Sequence, residues 1–287
     1  MSDPAVGDGT TPPTGPAPGS DPAVCYRHPD REAHIRCVRC EWRICPECMI
    51  PASVGFQCHE CVREGNKSVR QARTVFGGRV TTDPGWVSKV LIGINVVVFI
   101  LQQTVSGFTF RFENVGLYVA DGEYYRLLTC TFLHENVVHI ALNMYALYLF
   151  GPPVEAAIGR VRFAALYLVS ALGGSALSYA FANPITPSLG ASGAVFGLLG
   201  AYLVLNRKLG RDTSGVMALL VINFVFGLIV PRIDWRAHLG GLIAGTLCAI
   251  AIAYAPAPRR TAIQIGGMAA VAVAAVAVIV WRTAALT

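Results

Sequence analysis

From residue 88 onward the chain alternates long apolar runs with short polar loops. Seven runs stand out, at 88–105, 136–150, 162–182, 189–206, 214–230, 236–255 and 262–281. Each approaches the ~20 residues that an α-helix needs to cross ~30 Å of hydrocarbon, and the pattern predicts an all-α polytopic membrane bundle. The second run is short and opens on polar residues, which predicts a start inside a protected protein interior. Upstream the pattern changes. Residues 1–23 are rich in Pro, Gly, Asp and Thr with almost nothing to bury, so a disordered tail is expected. Residues 24–62 are Cys-rich. Residues 63–85 read as a solvated basic linker near anionic lipid, with Arg63, Lys67, Arg70, Arg73 and Arg79 set against Glu64.

Composition agrees with a membrane protein: 54% of residues are apolar and 14% charged, against about a quarter charged in soluble chains. The formal charge of +6 raises the question of nucleic acid, but the bases sit at the ends of apolar runs, which answers it in the negative. Twelve bases fall on the side of the linker and five on the other, where acids match them. That bias predicts a cytoplasmic N-terminus and, with seven spans, a C-terminus outside.

Polar groups inside apolar runs are costly and call for a reason. His134, His139 and Asn143 open the second run, Ser192 lies in GASGAVFG at the start of the fourth, and His238 lies in RAHLGGLIAG at the start of the sixth. All three runs are even-numbered, so these groups share one side and a similar depth. Amide hydrolysis needs a nucleophile, a base and oxyanion donors; Ser192, His238, and His139 with Asn143 can supply them, joined by the Ser192 backbone N–H at a helix start. No carboxylate is placed to orient His238, so a dyad is expected, Asp234 being the nearest acid. Gly190, Gly193 and Gly197 on one run, and Gly241 and Gly245 on the other, form small-residue faces that let helix backbones approach closely. Taken singly, Ser192 reads as a packing residue and the histidines as part of a proton or ion path of a transporter. Jointly they favour hydrolysis. Asn95, Asn206 and Asn223 are expected to bond to neighbouring helices, and Cys130 and Cys248 to be buried small hydrophobes.

Residues 86–255 resemble the rhomboid family of intramembrane serine proteases. GASGAVFG resembles its nucleophile motif, AHLGGLIAG its base motif, and HENVVHIALN its pattern of two histidines and an asparagine, which implies oxyanion duties for His139 and Asn143. Tyr125 and Arg126 resemble the Trp-Arg pair of the large outer loop, with Tyr in place of Trp. GPPVEAAIGR, with Glu155 and Gly159, resembles the turn after the second span, where the acid is structural. Phe196 stands where many members carry a Tyr beneath the catalytic histidine. The resemblance implies six family spans plus one added span at 256–287, and cleavage of transmembrane substrate proteins near the outer face. It also implies no cofactor for catalysis, water entry beneath the loop at 106–133, a mobile fifth span, and activity that falls as His238 is protonated. The rival it leaves is an inactive rhomboid-like protein that binds client transmembrane helices.

Seven of the nine cysteines crowd between Cys25 and Cys61, and no signal peptide precedes them, which points to metal in a reducing compartment. Cys25 and His28, Cys37 and Cys40, Cys45 and Cys48, and Cys58 and Cys61 form four pairs, each with a gap of two. Eight ligands suffice for two closed tetrahedral Zn²⁺ sites, with no position left open for catalysis. So little apolar material accompanies them that metal must supply the folding free energy. The spacing resembles a B-box-type zinc finger, which implies that the first pair joins the third and the second the fourth. His34 and His59 lie off this register as alternative ligands. The expected role is structural, with a cytoplasmic protein partner favoured over nucleic acid because neighbouring bases and acids balance.

Overall fold

The computed structural model describes residues 23–68, 72–230 and 233–287. The tail read at 1–23 lies, apart from Ala23, outside them, as do Arg70 and Arg232 of the charge count. The chain divides into two compact units, Met1–Arg70 and Gln71–Thr287.

The first unit is small. Strands β1 (Ile35–Arg36) and β2 (Arg43–Ile44) pair antiparallel, as do β3 (Ile50–Pro51) and β4 (Phe56–Gln57), and helix α1 (His59–Ser68) follows. Its buried core consists of Ala33, Ile44 and six cysteines, with Cys40, Tyr26 and Met49 packed against it. Two aliphatic side chains cannot offset the ordering of about forty residues, so cysteine chemistry must hold this unit together.

The second unit is a helical bundle. Helices α2 (Trp86–Thr104), α6 (Val137–Ile158), α7 (Arg160–Phe181), α8 (Ser192–Lys208), α9 (Ser214–Ile229), α10 (Trp235–Ala253) and α11 (Arg260–Leu286) lie at the seven predicted apolar runs. Between α2 and α6 run the short helices α3 (Phe108–Phe112), α4 (Gly116–Ala120) and α5 (Arg126–Thr129). Among the described residues five helices, α2, α6, α7, α10 and α11, are long and apolar enough to cross a membrane. Helix α8 has 17 residues and α9 has 16. In α8 an unbroken stretch from Gly193 to Ala201 is buried, so protein contacts govern its length in place of hydrocarbon thickness. Helix α9 is the opposite case: Leu220 and Gly227 are its buried residues, and most of its apolar side chains face outward.

Three expectations are corrected. The second apolar run does not stop at 150: α6 continues through Gly151, Pro152 and Pro153 for 22 residues and ends at Gly159, whose φ is +82°. Proline lacks a donor, but neighbouring helices can relieve the break in a membrane bundle. Secondly, the linker is not merely solvated. Helix α1 runs into its first part, and residues 72–80 form a closed turn in which Thr74 N–H donates to Gly78 O and Val80 N–H to Ala72 O. Phe76 of this turn is 3% exposed and joins the main core with Leu147, Ile158, Tyr167 and Ile252. Thirdly, Asn206 and Asn223 donate to the carbonyl four residues back in their own helix, because so short an amide reaches its own turn first; Asn95 does the same and also meets the Tyr167 hydroxyl of α7, as expected.

Glu155 shows how the bundle satisfies a helix start. Its carboxylate, 1% exposed, accepts Val87 N–H, Ser88 N–H and Ser88 O–H, each at 3.0 Å, and so caps α2 from the end of α6.

Candidate functional site

The site is built where the starts of α6, α8 and α10 meet. Asn136 caps α6 by accepting His139 N–H at 2.9 Å, which places His139 in the first turn and Asn143 one turn below. His139 Nδ1 accepts Glu135 N–H at 3.5 Å, so the ring proton belongs on Nε2. One N–H of the Asn143 amide donates to His139 O at 3.0 Å.

Helix α8 begins at Ser192. The preceding Gly190 is not on the helix face that the sequence suggested; it lies in the entering loop with φ +131°. A Cβ there would fall 2.9 Å from His139 Nε2 and 3.7 Å from Ser192 Oγ. Only glycine accepts both that backbone angle and that approach, so His139 Nε2 and the Ser192 hydroxyl both border the same small space.

Helix α10 is capped by Asp234, which accepts Arg236 N–H at 3.2 Å and Ala237 N–H at 3.4 Å on Oδ1. Its Oδ2 accepts the hydroxyl protons of Ser178 and, at 2.7 Å, of Ser188. Asp234 thereby ties α7, the loop entering α8 and the start of α10 to one carboxylate. Below this clamp the helices touch backbone to backbone. A Cβ on Gly241 would run into the Gly193 carbonyl, and one on Gly245 into the Gly197 backbone. Ser170 of α7 packs against Gly197 as well.

This contact brings His238, 8% exposed, against α8. Its ring lies 4.3 Å from that of Phe196 at an interplanar angle of 11°, and Phe196 stands one turn below Ser192 on the same face. His238 Nδ1 is buried against Gly227 of α9 and has no hydrogen-bond partner among the described residues.

Gln102, which sequence reasoning passed over, and His134 and Arg126, which it named, hold the surroundings in place. Gln102 of α2 pairs with the backbone of His134, accepting its N–H at 2.9 Å and donating to its O at 3.2 Å. His134 is 1% exposed and packs edge-on against His139 at 5.1 Å. Arg126 is buried within the large loop; it donates to Phe110 O and Glu113 O, and its Nε lies 2.5 Å from Glu123. That guanidinium, with the Tyr125 hydroxyl, holds the Glu123 carboxyl below the usual range, whereas burial pushes Glu113 up. A polar Gln inside an apolar run, and an acid just before one, were signals available in the sequence.

A Rhomboid domain model matches residues 121–255, the stretch from α5 to the end of α10. YdcA of Bacillus subtilis (strain 168) is 34% identical over 155 residues, covering 52% of this chain and 74% of YdcA. The chain belongs to the rhomboid family. The Rhomboid protease GluP of the same organism is 38% identical over 175 residues, 57% of this chain and 34% of GluP. RHOMBOID-like protein 1 of Arabidopsis thaliana is 40% identical over 141 residues, 47% of this chain and 36% of its own length. The chain thus spans about a third of the length of these last two relatives. This rhomboid is a multi-pass membrane protein, and the matched stretch contains Ser192, His238, His139 and Asn143.

The first unit of this rhomboid holds two further clusters. Cys25, His28, Cys45 and Cys48 form one, and Cys37, Cys40, Cys58 and Cys61 the other; within each, the ligand atoms lie within 4.8 Å of one another. Four donors around a metal at ~2.3 Å stand about 3.8 Å apart. Cys40 Sγ and Cys58 Sγ are separated by 3.7 Å, and His28 Nδ1 lies 3.3 Å from Cys45 Sγ and 3.4 Å from Cys48 Sγ. Backbone N–H groups of Cys58 and Cys61 point at Cys37 Sγ and Cys58 Sγ, each at 3.3 Å, as thiolate ligands require. The residues fit a closed, four-ligand metal site in each cluster. His34 pairs with Glu32 and His59 faces Glu47 O, so neither enters a cluster.

Proposed function

We propose that this rhomboid is an intramembrane serine endopeptidase that cleaves transmembrane proteins near the outer face, with Ser192 as nucleophile and His238 as base. The observation that carries the reading is the stacking of His238 on Phe196, one turn from Ser192, with His139 Nε2 bordering the space beside the hydroxyl.

In this reading His238 Nε2 takes the Ser192 proton as Oγ attacks the scissile carbonyl. The oxyanion is met by His139 Nε2–H, the second N–H of Asn143 and the Ser192 backbone N–H, where the α8 dipole adds to the attraction. His238 then gives the proton to the leaving amine, and water attacks the acyl-enzyme by the same path in reverse. His238 acts as one half of a dyad, since Asp234 is occupied in capping α10 and holding Ser178 and Ser188. Helix α9 buries little against the bundle, which supports entry of a substrate helix beside it.

The N-terminus is assigned to the cytoplasm and the C-terminus outside, on the excess of bases beside the first unit. The two clusters of that unit are assigned as structural Zn²⁺ sites: tetrahedral sulfur and imidazole donors suit Zn²⁺, and a closed set leaves no position for substrate.

The test is cleavage of a membrane-anchored reporter by the full chain. Ser192→Ala and His238→Ala should each reduce cleavage to background, and a serine-directed phosphonate should label Ser192. Cleavage that persists in Ser192→Ala overturns the assignment of the nucleophile, and a parent chain that cleaves no reporter leaves the client-binding reading.

A further inference from the structure

We infer that the end of the bundle where α7 and α11 begin carries a binding site for a phosphate group, formed by Arg73, Arg79, Arg162 and Arg260. Arg73 and Arg79 stand directly opposite each other in an antiparallel bridge, so both side chains leave the same face of the 72–80 turn. Like charges in that register repel. Arg73 Nη1 and Arg162 Nη1 both donate to Gly77 O, each at 3.2 Å. Arg260 closes the group: its Nη1 lies 3.6 Å, and Arg162 Nη2 3.8 Å, from the point where a Cβ of Gly77 would stand.

No carboxylate forms an ion pair with any of these four arginines among the described residues, although nearby bases are matched. Arg160 reaches Glu155 at 4.0 Å and Lys89 reaches Asp83 at 2.8 Å. The cluster is also held in place. Gln264, 0% exposed, accepts Arg162 Nε–H at 2.6 Å and donates to Phe76 O at 3.0 Å, which fixes one guanidinium and the turn beneath it together.

Both helices that start here lack an acid in the first turn and a side-chain cap, and α7 and α11 both begin with arginine. Helix starts favour anions and oppose cations. Three guanidinium groups gathered at Gly77, with Arg79 opposite Arg73 on the same turn and two such starts beside them, are therefore balanced by an anion from outside the chain, and planar forks suit phosphate oxygens. At the rim of a membrane bundle that group is either the headgroup phosphate of an anionic lipid or free phosphate.

Native mass spectrometry of the full chain released from detergent distinguishes them, with phosphatidylglycerol, phosphatidylcholine and inorganic phosphate as probes. The expected result is retention of phosphatidylglycerol roughly tenfold above phosphatidylcholine, or a phosphate adduct, lost in Arg162→Gln/Arg260→Gln. The exposed pair Arg73→Gln/Arg79→Gln should lose it too, and decides the matter if the first pair fails to fold. Arg207→Gln/Arg211→Gln, an equal charge change at the end of α8 and the loop after it, should retain it. Displacement of the lipid by inorganic phosphate assigns the site to free phosphate, and resistance to displacement assigns it to the headgroup. A parent chain that retains neither probe, or arginine pairs that retain as much as the parent, overturns the site.

Discussion

The His238 imidazole lies flat on the Phe196 ring, 4.3 Å between centroids and 11° from parallel. Helix α10 supplies one ring and α8 the other, so the stack measures how the helices are set against each other at the depth of Ser192. Phe196→Ala removes the floor under the imidazole and opens a cavity in a buried helix. Stability should fall by about 3 kcal/mol, and kcat should fall much more than KM changes, because the base is misplaced while substrate contacts remain. Phe196→Tyr should keep most of the activity. Reporter kinetics and thermal unfolding in detergent check both, and a Phe196→Ala protein with unchanged kcat would show the stack to be idle.

Contact between α8 and α10 depends on the missing Cβ atoms. Gly241→Ala drives a methyl into the Gly193 carbonyl, with backbone on both sides and no flexible side chain to yield. Loss of about 1–3 kcal/mol and of most activity is expected. Gly93 of α2 offers the contrast, since a Cβ there meets nothing within 4 Å. Gly93→Ala should stabilise the helix by roughly 0.5–1 kcal/mol and leave cleavage intact. Equal melting temperatures for the two variants would contradict the packing argument.

Glu155 caps α2 in trans with three accepted hydrogen bonds. Glu155→Ala strands two backbone N–H groups and the Ser88 hydroxyl in a buried setting, at a cost of about 2–4 kcal/mol. Glu155→Gln keeps one acceptor oxygen and should fall between Glu155→Ala and the parent. Unfolding monitored by far-UV circular dichroism in detergent reads the order of the three proteins; a Glu155→Ala protein as stable as the parent would remove the cap from the account.

Metal should be stoichiometric with the clusters of the first unit. Elemental analysis of the reduced chain is expected to find one Zn²⁺ per cluster, and Cys37→Ser and Cys45→Ser should each lower the content by about one ion. A chelator should abolish the protease resistance of residues 24–68 while the helices of the second unit remain. Zinc-free protein with a protected first unit would refute the assignment.

The seven apolar runs were legible because helices packed in lipid need long unbroken stretches of apolar residues with their backbone groups satisfied internally. The paired cysteines were legible because metal ligands need a tight local spacing, whatever surrounds them. Boundaries were less so. The end of α6 could not be read past Pro152 and Pro153, because whether a proline ends a helix depends on the neighbours that take up the freed carbonyls. The same holds for Phe76, which sits in a polar stretch and is buried only because α6, α7 and α10 leave room for it.

The candidate site divides in the same way. Ser192, His238, His139 and Asn143 announced themselves as polar groups at the starts of apolar runs, a feature of composition along one dimension. Their mutual placement belonged to the tertiary structure: the Asp234 clamp, the glycine contact, the stacked ring and the positive φ of Gly190 all join residues far apart in the chain. Hydropathy and spacing are local properties that a sequence carries openly. Which backbone meets which is decided by the packing of all helices at once.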